Sequence, residues 1–197
     1  VTGPNAVGYL EGLCVARIDV AVGRVVYTPL LNKAGGVFAD LTIMRLAHDT
    51  FRVVTGGGLG MRDKKWFADH LPADGSVQLH DVTNQFTTIG LWGPKAREVL
   101  QAVTAADVSH AGFPFGTCRT VDIDGVRTLA SRISYVGELG WEIYIPIEQG
   151  ARVWDAIWKA GQAHGIVPAG IGAYAVTGRL EKGYRAHGNE LELEYNL

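Results

Sequence analysis

Residues 3–18 read GPNAVGYLEGLCVARI, and residues 93–108 read GPKAREVLQAVTAADV. Both stretches start on Gly-Pro, place Ala three residues after the glycine and Leu at the eighth position, and close on an aliphatic residue, Ile18 or Val108. Proline costs nothing at the first helical position, where the amide hydrogen has no partner within the helix. Each stretch therefore predicts a helix, with Val7, Leu10, Leu13 and Cys14 forming the apolar face of the first. After each copy come a strand, a glycine turn and a second strand. The recurrence predicts an α+β fold of two similar α/β halves with antiparallel sheets, residues 1–92 and 93–197.

In the first half the two strands form the segment YTPLLNKAGGVFADLTIMRL, Tyr27 to Leu46, reversed at Asn32-Lys33-Ala34-Gly35-Gly36. Two adjacent glycines predict the positive φ values that a tight reversal needs. Side chains alternate along a strand, so Asp40 is expected to share a face with Phe38 and Thr42, while Val37, Ala39, Leu41 and Ile43 line the other. On spacing alone Asp40 is either a solvated carboxylate near a hairpin or a group held beside an aromatic ring for chemistry. Phe51 to Thr55 predicts a further strand, and Gly56-Gly57-Gly58 a strand-to-helix turn. The triple glycine lacks the GKS or GKT sequel of a phosphate loop and completes no GxGxxG. Met61 to Leu71 predicts an amphipathic helix facing the core with Trp66, Phe67 and Leu71, stopped before Pro72. Strands are predicted at Val77 to Val82 and Thr87 to Trp92.

In the second half, strands are predicted at Thr117 to Asp124 and Val126 to Tyr135. In SYVGELGWEIYIP, residues 134–146, Gly137 and Gly140 bracket a turn, and the next strand sets Trp141, Ile143 and Ile145 against Glu142 and Tyr144. Glu142 is either an outward-facing residue of a half-exposed strand or the receptor of a heterocycle with adjacent N–H donors, because a carboxylate accepts two parallel hydrogen bonds. Glu148 to His164 predicts a helix with Val153, Trp154, Ile157 and Trp158 as its buried stripe and Gly165 as its stop. A small-residue helix, AGIGAYAVTGRLEKG, follows.

Composition excludes several classes. With 47% hydrophobic and 19% charged residues among 197, the chain reads as an ordinary globular protein. A net charge of -2 with interspersed signs gives no basic stripe for nucleic acid, and no apolar run approaches the roughly 20 residues of a membrane span. Cys14 and Cys118 lie far apart without CxxC or histidine spacing, and the six histidines are scattered singly, so no metal is expected. The chain opens at Val1 without Met, and reads as a piece of a longer protein.

Taken together, YTPLLNKAGGVFADLTIMRL, SYVGELGWEIYIP, and AGIGAY followed by GRLEKGYRAHGNEL resemble the folate-binding family of the glycine cleavage T-protein, the aminomethyltransferases. The EKGYR segment is more similar to the C-terminal folate domains of dimethylglycine and sarcosine dehydrogenases. The resemblance implies the aminomethyltransferase folate-binding fold, with tetrahydrofolate as cofactor and capture of an aminomethyl or iminium carbon as 5,10-methylenetetrahydrofolate. That carbon would come from glycine cleavage or from demethylation of dimethylglycine or sarcosine. It places Asp40 beside the reactive folate nitrogens as the catalytic residue and Glu142 on the pterin ring. Tyr135, Asn32 and Tyr174 complete the expected cofactor-binding set. The arginine that binds folate in the T-protein, in the helix after its AGL segment, is replaced here by Tyr174, Ala175 or Val176, and Arg179 matches a later arginine of that helix. A non-catalytic folate-binding module and a sulfonium demethylase of the same family are the alternatives. Full members also carry a C-terminal barrel, and the dehydrogenases an upstream FAD domain; neither is expected within residues 1–197, so FAD would enter only with an upstream domain or a flavoprotein partner. The resemblance implies a cytoplasmic protein, or a mitochondrial-matrix one in a eukaryote.

Overall fold

The computed structural model describes residues 1–194. Its five helices are α1 (Ala6–Leu13), α2 (Gly60–Asp69), α3 (Ala96–Gln101), α4 (Gly150–Gly161) and α5 (Arg179–Lys182). The strands are β1 (Val25–Leu31), β2 (Val37–Ala47), β3 (Thr50–Thr55), β4 (Phe86–Trp92), β5 (Cys118–Ile123), β6 (Val126–Ser131) and β7 (Gly140–Pro146). They form two antiparallel sheets, of order β1-β2-β3 and β4-β7-β6-β5.

The chain divides into two compact units, Val1–Asp81 with Arg185–Leu197, and Val82–Tyr184. The boundary thus falls ahead of β4, which was grouped by sequence with the first half. β4 pairs along its whole length with β7, and that ladder assigns it to the second unit. The C-terminal residues return to the first unit, where Val37 N–H donates to Glu192 O at 3.2 Å.

The two copies agree in detail at a constant offset of 90 residues. Gly3 and Gly93 have φ of +128° and +125°. Their amides donate to Asp49 O and Leu139 O, at 3.1 and 2.9 Å, and their carbonyls accept from Ala6 and Ala96, both at 3.0 Å. The later helices also correspond: a 3-10 turn, Gly57–Leu59 or Ile147–Gln149, leads into α2 or α4. Phe67 and Ile157 then occupy equivalent buried places. By this alignment β1, β2 and β3 match β5, β6 and β7.

Each unit has its own core. Tyr9, Leu10, Ile18, Leu30, Leu41, Ile43 and Phe67 belong to the first, and Leu100, Phe113, Ile123, Trp141, Ile143 and Val153 to the second. Several predicted elements are shorter or absent. α1 stops at Leu13 because the Glu11 carboxylate takes the amides of Ile18 and Asp19, at 2.6 and 2.7 Å, and turns the chain back. Residues 77–82 form no strand; their one ladder contact is a bridge from Gln78 to Thr2. β6 ends at Ser131, four residues early. On α4, Val153 and Ile157 are buried as predicted, but Trp154 is 46% exposed and stacks on Trp158 at 6.2 Å. Among the described residues no helix is long and apolar enough to cross a membrane.

Candidate functional site

In the first unit the hairpin turn is held by Asn32, whose Oδ1 accepts from the amides of Ala34 and Gly36, both at 2.9 Å. This Asx arrangement uses the side-chain oxygen to mimic a backbone turn. Asn32 retains only its amide group as a donor for any ligand. Of the two glycines, Gly35 alone has positive φ, +86°. Gly36 is needed for a different reason: a Cβ there would run into the Leu193 carbonyl.

Beyond the turn, β2 alternates as predicted. Val37, Ala39, Leu41 and Ile43 are buried, and Phe38, Asp40 and Thr42 are half-buried on the opposite face. β1 places Tyr27 opposite Thr42, diagonal to Asp40, and the Tyr27 hydroxyl donates to Asp40 Oδ2 at 3.0 Å. Tyr27 is 60% exposed, so the pair faces outward from the unit's core. Phe38, on the same face, stacks on Trp66 at 4.4 Å, and the Trp66 ring meets the His70 ring at 4.5 Å in a tilted contact.

The second unit brings three of the expected residues to one sheet face. Glu142 on β7 stands opposite Gly90 of β4 and Ser131 of β6. Tyr144, two residues along the same face, donates its hydroxyl to Glu142 Oε2 at 2.7 Å. Burial pushes the Glu142 pKa up, and the Tyr144 hydrogen bond opposes the shift. A glycine opposite the carboxylate leaves room for the Trp92 ring, which occupies the space a Gly90 Cβ would take. From Trp92 a series of ring contacts continues to Tyr174 (5.2 Å), then Tyr135 (5.2 Å), then Tyr184 (6.1 Å). Tyr174 lies in a π-helical stretch, Ala173–Gly178; such wide turns recur at functional sites.

Arg179 is buried, and its guanidinium is committed to backbone: Nε donates to Ala175 O at 2.9 Å and Nη1 to Tyr184 O at 3.2 Å. It braces the chain that carries Tyr174 and Tyr184. Among the described residues no group of three or more His, Cys, Asp or Glu could hold a metal ion.

The family model described as the GCVT N-terminal domain matches residues 1–197. The chain belongs to this family. Dimethylglycine dehydrogenase, mitochondrial, of Rattus norvegicus is 34% identical over 198 residues, covering 100% of this GCVT domain and 23% of the relative. The aminomethyltransferase of Natranaerobius thermophilus is 34% identical over 197 residues, covering 98% of the chain and 52% of the relative. Among solved structures, glycine cleavage system aminomethyltransferase T from Bartonella henselae superposes with a TM-score of 0.80 at 26% identity, over 99% of this chain and 51% of that one. The heterotetrameric sarcosine oxidase of Corynebacterium sp. U-96 shares the fold, with a TM-score of 0.61 at 19% identity, over 86% of this chain and 78% of that one. The GCVT domain thus spans between about a quarter and about half the length of these curated relatives. The expected fold class is the observed one, in both architecture and family.

Sequence reasoning did not name Tyr27, Tyr144 or Trp92, which the structure places against the candidate residues Asp40, Glu142 and Tyr174. Tyr144 had a signal in its i+2 spacing from Glu142. Trp92 had a weaker one, the glycine two residues before it. Tyr27 had none, since its approach to Asp40 depends on the β1–β2 register.

Proposed function

We propose that this GCVT domain binds tetrahydrofolate and transfers a one-carbon unit to it, as a member of the aminomethyltransferase and dimethylglycine dehydrogenase group. The observation that carries the reading is Glu142, a carboxylate withdrawn from water, oriented by Tyr144 and neighboured by the Trp92 ring. That arrangement fits a flat heterocycle: the carboxylate accepts a pair of ring N–H groups, and the Trp92, Tyr174 and Tyr135 rings supply an apolar wall. Tetrahydrofolate, when bound, supplies a nucleophilic ring nitrogen that captures the carbon.

The chain's own residues then have separable tasks. Glu142 fixes the orientation of the heterocycle. Asp40, held by the Tyr27 hydroxyl, stabilises positive charge on the incoming carbon electrostatically. Asn32 offers an amide donor at the hairpin. The carbon comes from glycine cleavage or from oxidative demethylation of an N-methylated amine such as dimethylglycine or sarcosine, the latter with a flavin-containing domain or partner polypeptide. A cytoplasmic location, or the mitochondrial matrix in a eukaryote, accompanies this reading.

Titration with tetrahydrofolate, followed by tryptophan fluorescence, should give saturable quenching in the wild type and little in Glu142→Ala. Absence of saturation in the wild type would refute the proposal. Asp40→Asn should retain the wild-type titration. With a flavin-dependent amine dehydrogenase supplying the carbon, its formation of 5,10-methylenetetrahydrofolate should fall about 100-fold, the scale of losing one preorganised electrostatic group. An unchanged rate would remove Asp40 from the catalytic role.

A further inference from the structure

Asp63 on α2 is 2% exposed, a carboxylate in a position that its repeat counterpart fills with Val153, 0% exposed. The fold therefore accepts an apolar residue at this place, and a buried charge there needs another explanation. Its partner is the adjacent Arg62, whose Nε and Nη2 lie 3.1 and 3.0 Å from Asp63 Oδ1. Neighbours in a helix point in directions about 100° apart, so Arg62 must curl back to make this contact. In doing so it reaches β2. Arg62 Nη2 donates to Phe38 O at 2.7 Å, and the guanidinium lies 4.4 Å from the Phe38 ring centroid.

Phe38 is where β2 leaves regular pairing. Leu30 pairs with Ala39 and Leu31 with Val37, so Phe38 is the extra residue of a bulge. Pairing with β3 begins only at Leu41. The Phe38 carbonyl, at this irregularity of the ladder, accepts the Arg62 hydrogen bond. Bulges re-aim neighbouring side chains, and the side chain that follows on this face is Asp40.

We propose that Arg62, fixed by Asp63, is a positioning residue that sets the aim of Asp40 through the bulge at Phe38. The inference rests on the catalytic role proposed for Asp40. It assigns the ion pair of α2, in which Asp63 is buried and the Arg62 side chain is 35% exposed, to the geometry of the site and not to the stability of the unit. Buried ion pairs replaced by well-packed apolar residues commonly leave stability unchanged or raised, which makes the two roles separable.

The test is the double substitution Arg62→Met with Asp63→Val, which gives the first copy the apolar residue of the second. Expected are a thermal midpoint at or above wild type, an unchanged dissociation constant for tetrahydrofolate, and kcat for methylene transfer lowered about 10- to 100-fold, as for a misplacement of about 1 Å. Unchanged kcat in the folded variant would overturn the inference. Should the double variant not fold, Arg62→Lys keeps the charge beside Asp63 but loses the planar fork that reaches two acceptors, and the same kcat loss is expected; wild-type kcat would again overturn it. An independent readout is the 13C-carboxyl resonance of Asp40 in the ligand-free protein. It should move in either variant and stay fixed in Arg152→Ala, the arginine at the equivalent place in the second copy. A shift there tests the positioning even where no transfer activity is found, so its failure is distinct from failure of the proposed function.

Discussion

Replacing Glu142 by Gln should strengthen the empty protein and weaken the liganded one. Gln keeps the shape and one carbonyl oxygen, so the Tyr144 hydroxyl, now 2.7 Å from Oε2, still has an acceptor. The second oxygen becomes an NH2 group that meets the ligand's N–H donor to donor. A hydrogen bond to a charged group contributes about 1.5–3 kcal/mol. Losing one raises the dissociation constant for tetrahydrofolate roughly 10- to 100-fold.

The stability effect has the opposite sign and a pH signature. Burial raises the Glu142 pKa in the folded chain, so the folded state holds this proton more tightly than the unfolded one. The resulting stabilisation is fully present below the unfolded value of about 4.3 and is lost as pH rises through the higher folded-state value. Wild type should lose stability across that window, whereas Gln, which does not titrate, should not share this loss. Thermal melts at pH 4 and pH 7 measure it: the variant's midpoint relative to wild type should be higher at pH 7 than at pH 4. Fluorescence titration measures the binding side. A pH-independent difference, or binding within twofold of wild type, would refute the reasoning from burial and from bidentate acceptance respectively.

Two glycines should be intolerant for packing reasons. Gly90→Ala forces the Trp92 ring off its place over β4 and away from Tyr174; near-UV circular dichroism should change, and tetrahydrofolate affinity should fall about two- to tenfold, the scale of one aromatic pair. Gly36→Ala drives a methyl group into the Leu193 carbonyl, displacing the segment that accepts from Val37 N–H. A loss of about 1–3 kcal/mol in denaturant unfolding, with faster proteolysis near residues 187–193, is expected.

What could be read from sequence was whatever local chemistry decides. The Gly-Pro starts, the β2 alternation around Asp40 and the β7 alternation around Glu142 depend on residues within one element, and all were legible. The failures depend on partners. Val77 to Val82 has strand-like composition, but only Gln78 finds a neighbouring backbone, at Thr2. Trp154 falls within the apolar stripe of α4, yet helical periodicity does not say which member of a stripe is covered, and Trp154 stacks on Trp158 while remaining 46% exposed. β4 follows the first half in sequence and joins the second because β7 is its hydrogen-bonding partner. Asp63 would be read as a surface carboxylate, as aspartates usually are; only the fold buries it.

The repeat explains the scaffold and, by its breaches, marks the chemistry. The 90-residue offset aligns β7, which carries Glu142, with β3 and not with β2, which carries Asp40. The residue in the place of Glu142 is then Arg52, which pairs with Met44. A carboxylate in one copy stands where the other has a cation. Likewise Asp63 stands where the second copy has Val153. Equivalent positions were kept where the fold needs them, as at Gly3 and Gly93 with their matching φ values, and at Phe67 and Ile157 in the cores. They differ at each carboxylate the proposed function uses. At Asp63 the comparison is direct, because both copies build the same helix turn and the second holds a buried Val153 there; at Glu142 the ladders differ, since β7 pairs with both β4 and β6 whereas β3 pairs only with β2. The helix turn itself does not require a carboxylate at Asp63, and we read that charge as serving the proposed function carried on this scaffold.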